Sequence, residues 1–347
     1  MTKTALPPGT TINDRYELSR KLGSDGDVYE AHDRYLDKKV ALKLLRPDGG
    51  RPQSWDEAKR LEQLRSRFIV PVLNADVVTN SDLRFITTPL LPHGDLEADA
   101  RPVGLSVLTA VRFGHQLSAG VDAIHAAGMV HRDIKPANGL RDEDRILVSD
   151  VAFCSILDPN GEAPRQGSWC TLAPETAPDD GRCSIRSDVY SLAATVFYLL
   201  SGEYPVDHRL PRAEQQKLIA SGALRNISAV APHVPRTVAT VVRRGMNADP
   251  DARYASAADF GNALVTAVRR RRDWRRTVHA GHVYCAASPA SSGRKAISVC
   301  SEEATRGTIT MRAFHPTTGR AVAGVPENTT RTSRSSTALR TYFALLA

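Results

Sequence analysis

The chain has 347 residues, 46 Lys plus Arg against 38 Asp plus Glu, 41% apolar and 24% charged residues, which is the composition of a globular protein and not of a disordered or collagen-like chain. Its length allows two domains, or one large domain with an appendage, and excludes a miniprotein stapled by disulfides. Five cysteines, at 154, 170, 183, 285 and 300, form an odd set without C-x-x-C spacing. No apolar run approaches the ~18 residues of a membrane span, and Pro-Pro-Gly stands where a signal peptide would carry its apolar stretch, so the sequence reads as soluble, reduced and cytoplasmic.

Residues 14–46 alternate apolar and polar positions in RYELSRKLG, VYEAHD and KKVALKLL, which predicts an antiparallel start. SWDEAKRLEQLRS carries Ala58, Leu61 and Leu64 at helical spacing behind a capping Ser54, and FIVPVLNADVV and LRFITTPLL return to strand. From Leu105 onward the spacing turns helical, through LSVLTAVRFGHQLSAGVDAIHAAG, RSDVYSLAATVFYLLSG, VPRTVATVVRRGMNADP and SAADFGNALVTAVRR. A small sheet lobe therefore precedes a large helical one, with the polar segment HRDIKPANGLRDEDRILVSD between helices, the kind of loop on which function sits.

The basicity is confined to the C-terminal part: from Arg270 onward there are 13 basic and 4 acidic residues, against 33 and 34 in residues 1–269. The run Arg269–Arg272, Asp273, Trp274, Arg275, Arg276 admits three readings: the solvated end of a helix, a patch for nucleic acid or an acidic partner, or a surface for anionic lipid. Beyond it HVYCAAS, KAISVCS, GTITMRAFH and GRAVAGV read as four short strands and STALRTYFALL as a closing helix, a small β-rich module. TTRTSRSST reads as a flexible connector, an autophosphorylation segment or a nucleic-acid arm. His279, His282, Cys285 and Cys300 are metal-ligand types, but neither C-x2–4-C nor H-x3–5-H spacing is present, which argues against a zinc site.

The most specific signal is His131-Arg132-Asp133-Ile134-Lys135-Pro136-Ala137-Asn138, with Asp150 twelve residues after Asn138. Lys43 in VALKLL lies upstream and Ala173-Pro174-Glu175 downstream, with Glu57 in DEAKRLEQL, Asp188 in SDVYSL and Arg253 in DPDARYAS. In this order the motifs resemble the eukaryotic-type protein kinases, and among them the bacterial serine/threonine kinases, over roughly residues 14 to 270.

The resemblance implies an α+β, two-lobed fold, with a sheet lobe over 14–91 and a helical lobe over 92–272; outside it stand an N-terminal arm over 1–13 and the small basic β-rich C-terminal module over 273–347, which resembles no family. It implies an ATP- and Mg2+-dependent protein serine/threonine kinase acting on Ser or Thr of a protein substrate, Mn2+ being a second metal option, with autophosphorylation. Asp133 would orient the substrate hydroxyl and accept its proton, Lys135 would offset charge on the moving phosphoryl group, and Asn138 and Asp150 would hold the metal. Lys43 would hold the α- and β-phosphates and be held by Glu57. The nucleotide would be lined by Gly23, Gly26, Val28, Ala41 and the hinge, with Thr88 as gatekeeper and Pro89 and Leu91 offering backbone groups. Pro89 lacks only the donor, and adenine recognition there uses an acceptor. Ser168 would contact both Asp133 and Lys135, Glu175 would pair with Arg253, and Asp188 would tie down the catalytic loop.

Three departures accompany the resemblance. The glycine-rich loop, Gly23-Ser24-Asp25-Gly26-Asp27-Val28, is two residues short and carries carboxylates that repel phosphate, so it is expected to form a hairpin that binds nucleotide weakly. Asp150-Val151-Ala152 replaces D-F-G, and only fourteen residues separate Lys43 from Glu57. Between Val151 and Gly167 the sole hydroxyl side chain is Ser155, so Glu162 and Asp158 read as solvated loop charges, the alternative being that one of them stands beside Arg132 in place of a phosphate. A pseudokinase scaffold is the alternative to the enzyme, and the tail meeting an acidic partner or nucleic acid is compatible with either.

Overall fold

The computed structural model describes residues 6–22, 27–45, 64, 66–268, 272–291 and 293–346. Gly23, Gly26, Asp25 and Glu57, with the helix expected around Glu57, lie outside the described residues.

The first lobe is an antiparallel sheet of β1 (Thr11–Ile12), β2 (Tyr16–Lys21), β3 (Val28–Asp33), β4 (Lys38–Leu45), β5 (Asn74–Val77) and β6 (Arg84–Pro89), in the order β1-β2-β3-β4-β6-β5. Alternation in β4 sends Val40, Leu42 and Leu44 into a core with Leu18, Tyr29, Ala31 and Phe85, and turns Ala41 and Lys43 to the opposite face. Tyr16 meets Phe85 edge to face, ring centres 5.5 Å apart. The strands flanking the expected hairpin pair with each other: Lys21 pairs with Tyr29 and the Leu22 N–H donates to the Val28 carbonyl. Asp27 is buried, and its carbonyl accepts the Leu44 N–H.

The expected strand FIVPVLNADVV is shorter than its β-branched content suggests. Pro71 has no N–H to give a ladder, so Phe68–Val70 instead crosses to the second lobe, where it exchanges hydrogen bonds with Val148, and only β5 joins the sheet.

The second lobe is built on α2 (Val107–Ala126), which follows the short α1 (Leu96–Ala100) and packs against α3 (Ile185–Ser201) and α7 (Ala257–Ala267). α3 is apolar on nearly all sides and correspondingly almost wholly buried; Ser184 and Ser187 form a capping box at its start, and Gly202 ends it in the left-handed region. Between α3 and α7 lie α4 (Arg212–Ser221), α5 (Ile227–Val230) and α6 (Arg236–Gly245). The sequence does not announce α4, because its inward face is only Gln215 and Ile219. Among the described residues no helix is long and apolar enough to cross a membrane.

The C-terminal part forms a five-stranded antiparallel sheet: β13 (Arg275–Thr277), β14 (His282–Ser288), β15 (Ile297–Thr305), β16 (Thr308–Phe314) and β17 (Asn328–Arg331), covered by α8 (Ser335–Leu345). Its composition differs from the expectation in three places. GRAVAGV is not a strand, because Gly319 and Gly324 take positive φ and leave only a Phe314–Ala321 bridge. Arg275 and Arg276 are not a helix end but an edge strand paired with Ala287 and Ala286. TTRTSRSST is not a connector: it is an edge strand, a 3-10 turn and the first turn of α8.

This sheet shares one hydrophobic core with the second lobe. Trp274 is buried and meets Phe343 edge to face at 4.9 Å, while its carbonyl accepts the Val107 N–H and the Asp273 carboxylate accepts the Leu108 N–H, both at 2.9 Å. The polar run at the seam thus caps the long helix α2. His233, buried beside Phe343, has its Nδ1 2.5 Å from the Tyr284 hydroxyl; burial, aided by the nearby Arg276 charge, pushes its pKa down to about 3.

This junction is therefore acid-sensitive. An unfolded His titrates near ~6.5, so from there down to about 3 the unfolded chain binds a proton the native chain refuses, and stability falls as pH falls across that window. Native-state stability should be full above pH ~6.5 and drop by about 1.4 kcal/mol per pH unit below it from this group. Thermal denaturation from pH 7.5 to 5 would measure the slope, and a His233→Gln variant with an unchanged slope would show that another group is responsible.

Candidate active site

The loop between β7 (Met129–Val130) and the pair β8 (Gly139–Asp142) and β9 (Arg145–Val148) carries the polar cluster. It is held from beneath by Asp188 on α3, whose carboxylate accepts the N–H groups of His131 at 2.7 Å and Arg132 at 3.0 Å and lies 2.9 Å from His125 Nε2. Burial alone would raise the Asp188 pKa, but the His125 contact, the charge interactions with both histidines and the His131 N–H together hold it below the usual carboxylate range. The same anchoring lets Arg132 sit at φ +71, a left-handed conformation that a non-glycine residue keeps only when its surroundings fix it. His131 turns inward, Nε2 2.8 Å from the Ser149 carbonyl.

Above this base Asp133, Lys135 and Ser168 meet. The Ser168 hydroxyl donates to Asp133 Oδ1 at 2.7 Å, and Lys135 Nζ reaches Ser168 Oγ and Asp133 Oδ2, each at 3.1 Å. Asn138 Nδ2 donates to the Asp133 carbonyl at 2.7 Å and to Oδ2 at 3.2 Å. Its nitrogen end is thereby committed, and its amide oxygen is the atom left to offer elsewhere. The expected contact of Ser168 with both partners is present.

Asp150 sits at φ +63 just before the 3-10 turn Val151–Phe153, and its Oδ1 forms an ion pair with Lys43 Nζ on β4. The pair joins the two lobes across the cleft. Cross-strand partners point to the same side of a sheet, and here Val28 opposes Lys43, Lys43 opposes Ile86 and Ala41 opposes Thr88. Val28, Ala41, Lys43 and Thr88 thus share the face that carries Lys43. Pro89 ends β6 opposite Val40, and Leu91 begins the run that leads to α1, whose first turn is capped by the Asp95 carboxylate. Gly23, Gly26 and Glu57 fall outside the described residues.

The alternative in which Glu162 or Asp158 stands beside Arg132 is not met. β11 (Ala163–Pro164) pairs with β12 (Arg182–Cys183), which brings Arg182 alongside, and Arg182 bonds Asp158 at 2.7 Å and Glu162 at 3.4 Å. Arg132 Nη1 donates to the Pro164 carbonyl. Ser155 is buried in β10 (Ser155–Ile156) against Val130, so the one hydroxyl of this stretch is not presented to solvent. Farther out, Arg253 is fully buried and bonds both Glu175 oxygens at 2.7 Å. Sequence reasoning missed the support from His125 and Ser149; nothing in their local pattern separates them from ordinary helix and strand residues.

The protein kinase domain family matches residues 16–263. The chain is 31% identical over 271 residues to the serine/threonine-protein kinase PknH of Mycobacterium tuberculosis, an alignment covering 73% of this chain and 42% of that one. It is 29% identical over 275 residues to the serine/threonine-protein kinase PknE of the same species, covering 73% and 46%. With the DNA damage-responsive serine/threonine-protein kinase RqkA of Deinococcus radiodurans it shares 32% over 215 residues, 58% of this chain and 32% of the relative. The chain thus spans less than half the length of these curated relatives.

Proposed function

This chain belongs to the protein kinase family, and we propose on that premise that it transfers the γ-phosphate of ATP to serine and threonine hydroxyls of proteins, its own among them. The observation that carries the reading is the convergence of Asp133, Lys135 and Ser168 on one side of a cleft that the Lys43–Asp150 ion pair spans. Phosphoryl transfer asks for positioning and charge compensation more than for covalent chemistry. Asp133, held on three sides, orients the incoming hydroxyl and accepts its proton. Lys135, within reach of that carboxylate, offsets negative charge on the group in transit, and Lys43 holds the phosphates of the nucleotide beneath the sheet. Val28 and Ala41 pack on the adenine, Thr88 bounds its pocket, and Pro89 and Leu91 offer backbone groups to it; the roles given to Gly23, Gly26 and Glu57 rest on the sequence alone.

The Asn138 amide oxygen and the Asp150 carboxylate are hard oxygen donors, a set that fits Mg2+ or Mn2+. Held by Asn138 and Asp150, such an ion would supply charge neutralisation for the phosphates of the nucleotide.

Incubation of the full chain with γ-labelled ATP and magnesium is expected to label the chain and a basic protein substrate, and the label should vanish in Lys43→Met. No label with any divalent ion, together with no ATP binding, would overturn the reading in favour of a scaffold.

Ser168 gives a second test. Ser168→Ala removes a hydrogen bond to a charged group and should lower kcat about tenfold, ~1.4 kcal/mol of barrier, while Ser168→Thr keeps near-normal turnover. Equal rates in all three forms would remove Ser168 from the reading.

A further inference from the structure

The four residues whose spacing argues against metal binding are brought together by the C-terminal sheet. One ligand atom from each of His279, His282, Cys285 and Cys300 lies within 4.8 Å of every other. His279 Nδ1 is 3.3 Å from Cys300 Sγ, and His282 Nδ1 is 3.2 Å from Cys285 Sγ. For tetrahedral zinc with its usual Zn–S and Zn–N lengths, neighbouring ligand atoms stand about 3.3–3.8 Å apart, so these contacts are already near the required edge length.

Three local features build this arrangement. Cys285 and Cys300 are direct cross-strand partners on β14 and β15, so their side chains rise on one side of the sheet. His279-Ala280-Gly281-His282 is a tight turn, closed by the His282 N–H on the His279 carbonyl at 3.2 Å, with Gly281 at φ +79. Strict alternation would then put His282 and Cys285, three apart, on opposite faces. The register shift between His282 and Tyr284 prevents this: His282 opposes Glu302 while Tyr284 opposes Ser301, and the extra residue, Val283, turns His282 to the Cys285 side.

That side is not the hydrophobic core. Tyr284, Ala286, Val299 and Met311 point the other way, into the core beneath α8, while Cys300 has Arg312 as its partner on β16. Both cysteines are nonetheless buried, at 2% and 0% exposure, because the histidine turn folds over them. His282 Nε2 also lies 3.2 Å from Glu302 Oε1, a carboxylate placed to hold the ring proton on Nε2 and keep Nδ1 as the lone-pair donor.

We propose that His279, His282, Cys285 and Cys300 form a closed, structural zinc site that pins the histidine turn to the C-terminal sheet. Two neutral imidazoles and two thiolates suit zinc by softness and geometry, and with Zn2+ the cluster carries no net charge, which a half-buried place requires. Binding displaces the two thiol protons to solvent as the two Zn–S bonds form. With four protein ligands no position is left for water, so the site is structural and takes no part in phosphoryl transfer.

The test uses the full chain, without a histidine tag, expressed in zinc-supplemented cells. Elemental analysis after dialysis is expected to find about one zinc per chain, retained in Cys170→Ala and lost in Cys285→Ser/Cys300→Ser. Cobalt added to the zinc-stripped chain should give the intense visible bands of tetrahedral Co2+ with a thiolate charge-transfer band, abolished in Cys300→Ser. Glu302→Gln should keep the spectrum and weaken cobalt affinity about tenfold or more. The wild-type spectrum decides the matter even where a variant fails to fold. Absence of cobalt bands, zinc content equal in the double variant, or a Cys285–Cys300 disulfide in protein from a reducing cytosol would overturn the proposal.

Discussion

Replacing Asp133 with Asn is expected to lower kcat for phosphoryl transfer about 1,000-fold, some 4 kcal/mol of transition-state free energy, while leaving the KM for ATP nearly unchanged. The carboxylate is fixed by the Ser168 hydroxyl at 2.7 Å, by Lys135 at 3.1 Å and by Asn138 at 3.2 Å, and these contacts are what would aim it at an incoming hydroxyl. Asn matches Asp in size and keeps an acceptor oxygen, so the loop, which is anchored below by Asp188, should stay in place. What is lost is the capacity to take a proton. In the proposed arrangement Asp133 meets the substrate hydroxyl while the groups on β4 and β6 meet the nucleotide, so ATP affinity serves as an internal control for folding. Steady-state rates on a basic protein substrate, with ATP affinity measured separately, would separate the two effects. A kcat within a few-fold of the parent would remove Asp133 from the role assigned to it.

Glu175→Ala is expected to destabilise the chain by about 3 kcal/mol, because it strands the fully buried Arg253 without the half-buried carboxylate that neutralises it. Arg253 has no exposed side-chain surface and donates to both Glu175 oxygens. It also donates to the carbonyls of Asn247, Arg186 and Ala248, and its guanidinium lies 4.9 Å from the centre of the Tyr190 ring. The arrangement ties the segment after Ser168 to α3 and to the turn before α7. Without Glu175 the guanidinium keeps its carbonyl partners but loses its counter-charge. Glu175→Gln, which retains an acceptor oxygen, should cost roughly half as much. Thermal unfolding is expected to show a fall in Tm of about 5–10 °C for the Ala variant. A Tm within about 1 °C of the parent would mean that the site relaxes or admits water, and that the pair does not brace the lobe.

Much of the part that matches the protein kinase family was legible in the sequence because its motifs are local. His131 to Asn138 form one continuous loop, so the residue types needed near a moving phosphoryl group occur side by side, and Asp150 follows at a fixed interval. The helices α2, α6 and α7 were legible for a similar reason, since each buries a stripe that recurs at helical spacing, and α3 because it is apolar nearly all round. Where sequence reasoning fell short, the deciding contact came from a distant segment. The Pro71 strand was misjudged because its apolar residues cross between lobes. Nothing near Asp158 and Glu162 in the sequence names their partner, because the β11–β12 pairing brings them Arg182 from twenty or more positions away.

The C-terminal part shows the division most clearly. By itself the sequence determined that this region is basic, β-rich and closed by a helix, since alternation and charge are properties of neighbouring residues. Only the tertiary structure decided that Trp274 and Phe343 join its core to the kinase lobe, and that two histidines and two cysteines converge. The physical reason is that a one-residue shift in strand register reverses which face a side chain occupies. The register across β14 and β15 is set by Val283 and by the strand fifteen residues beyond Cys285, not by the spacing of the ligands along the chain.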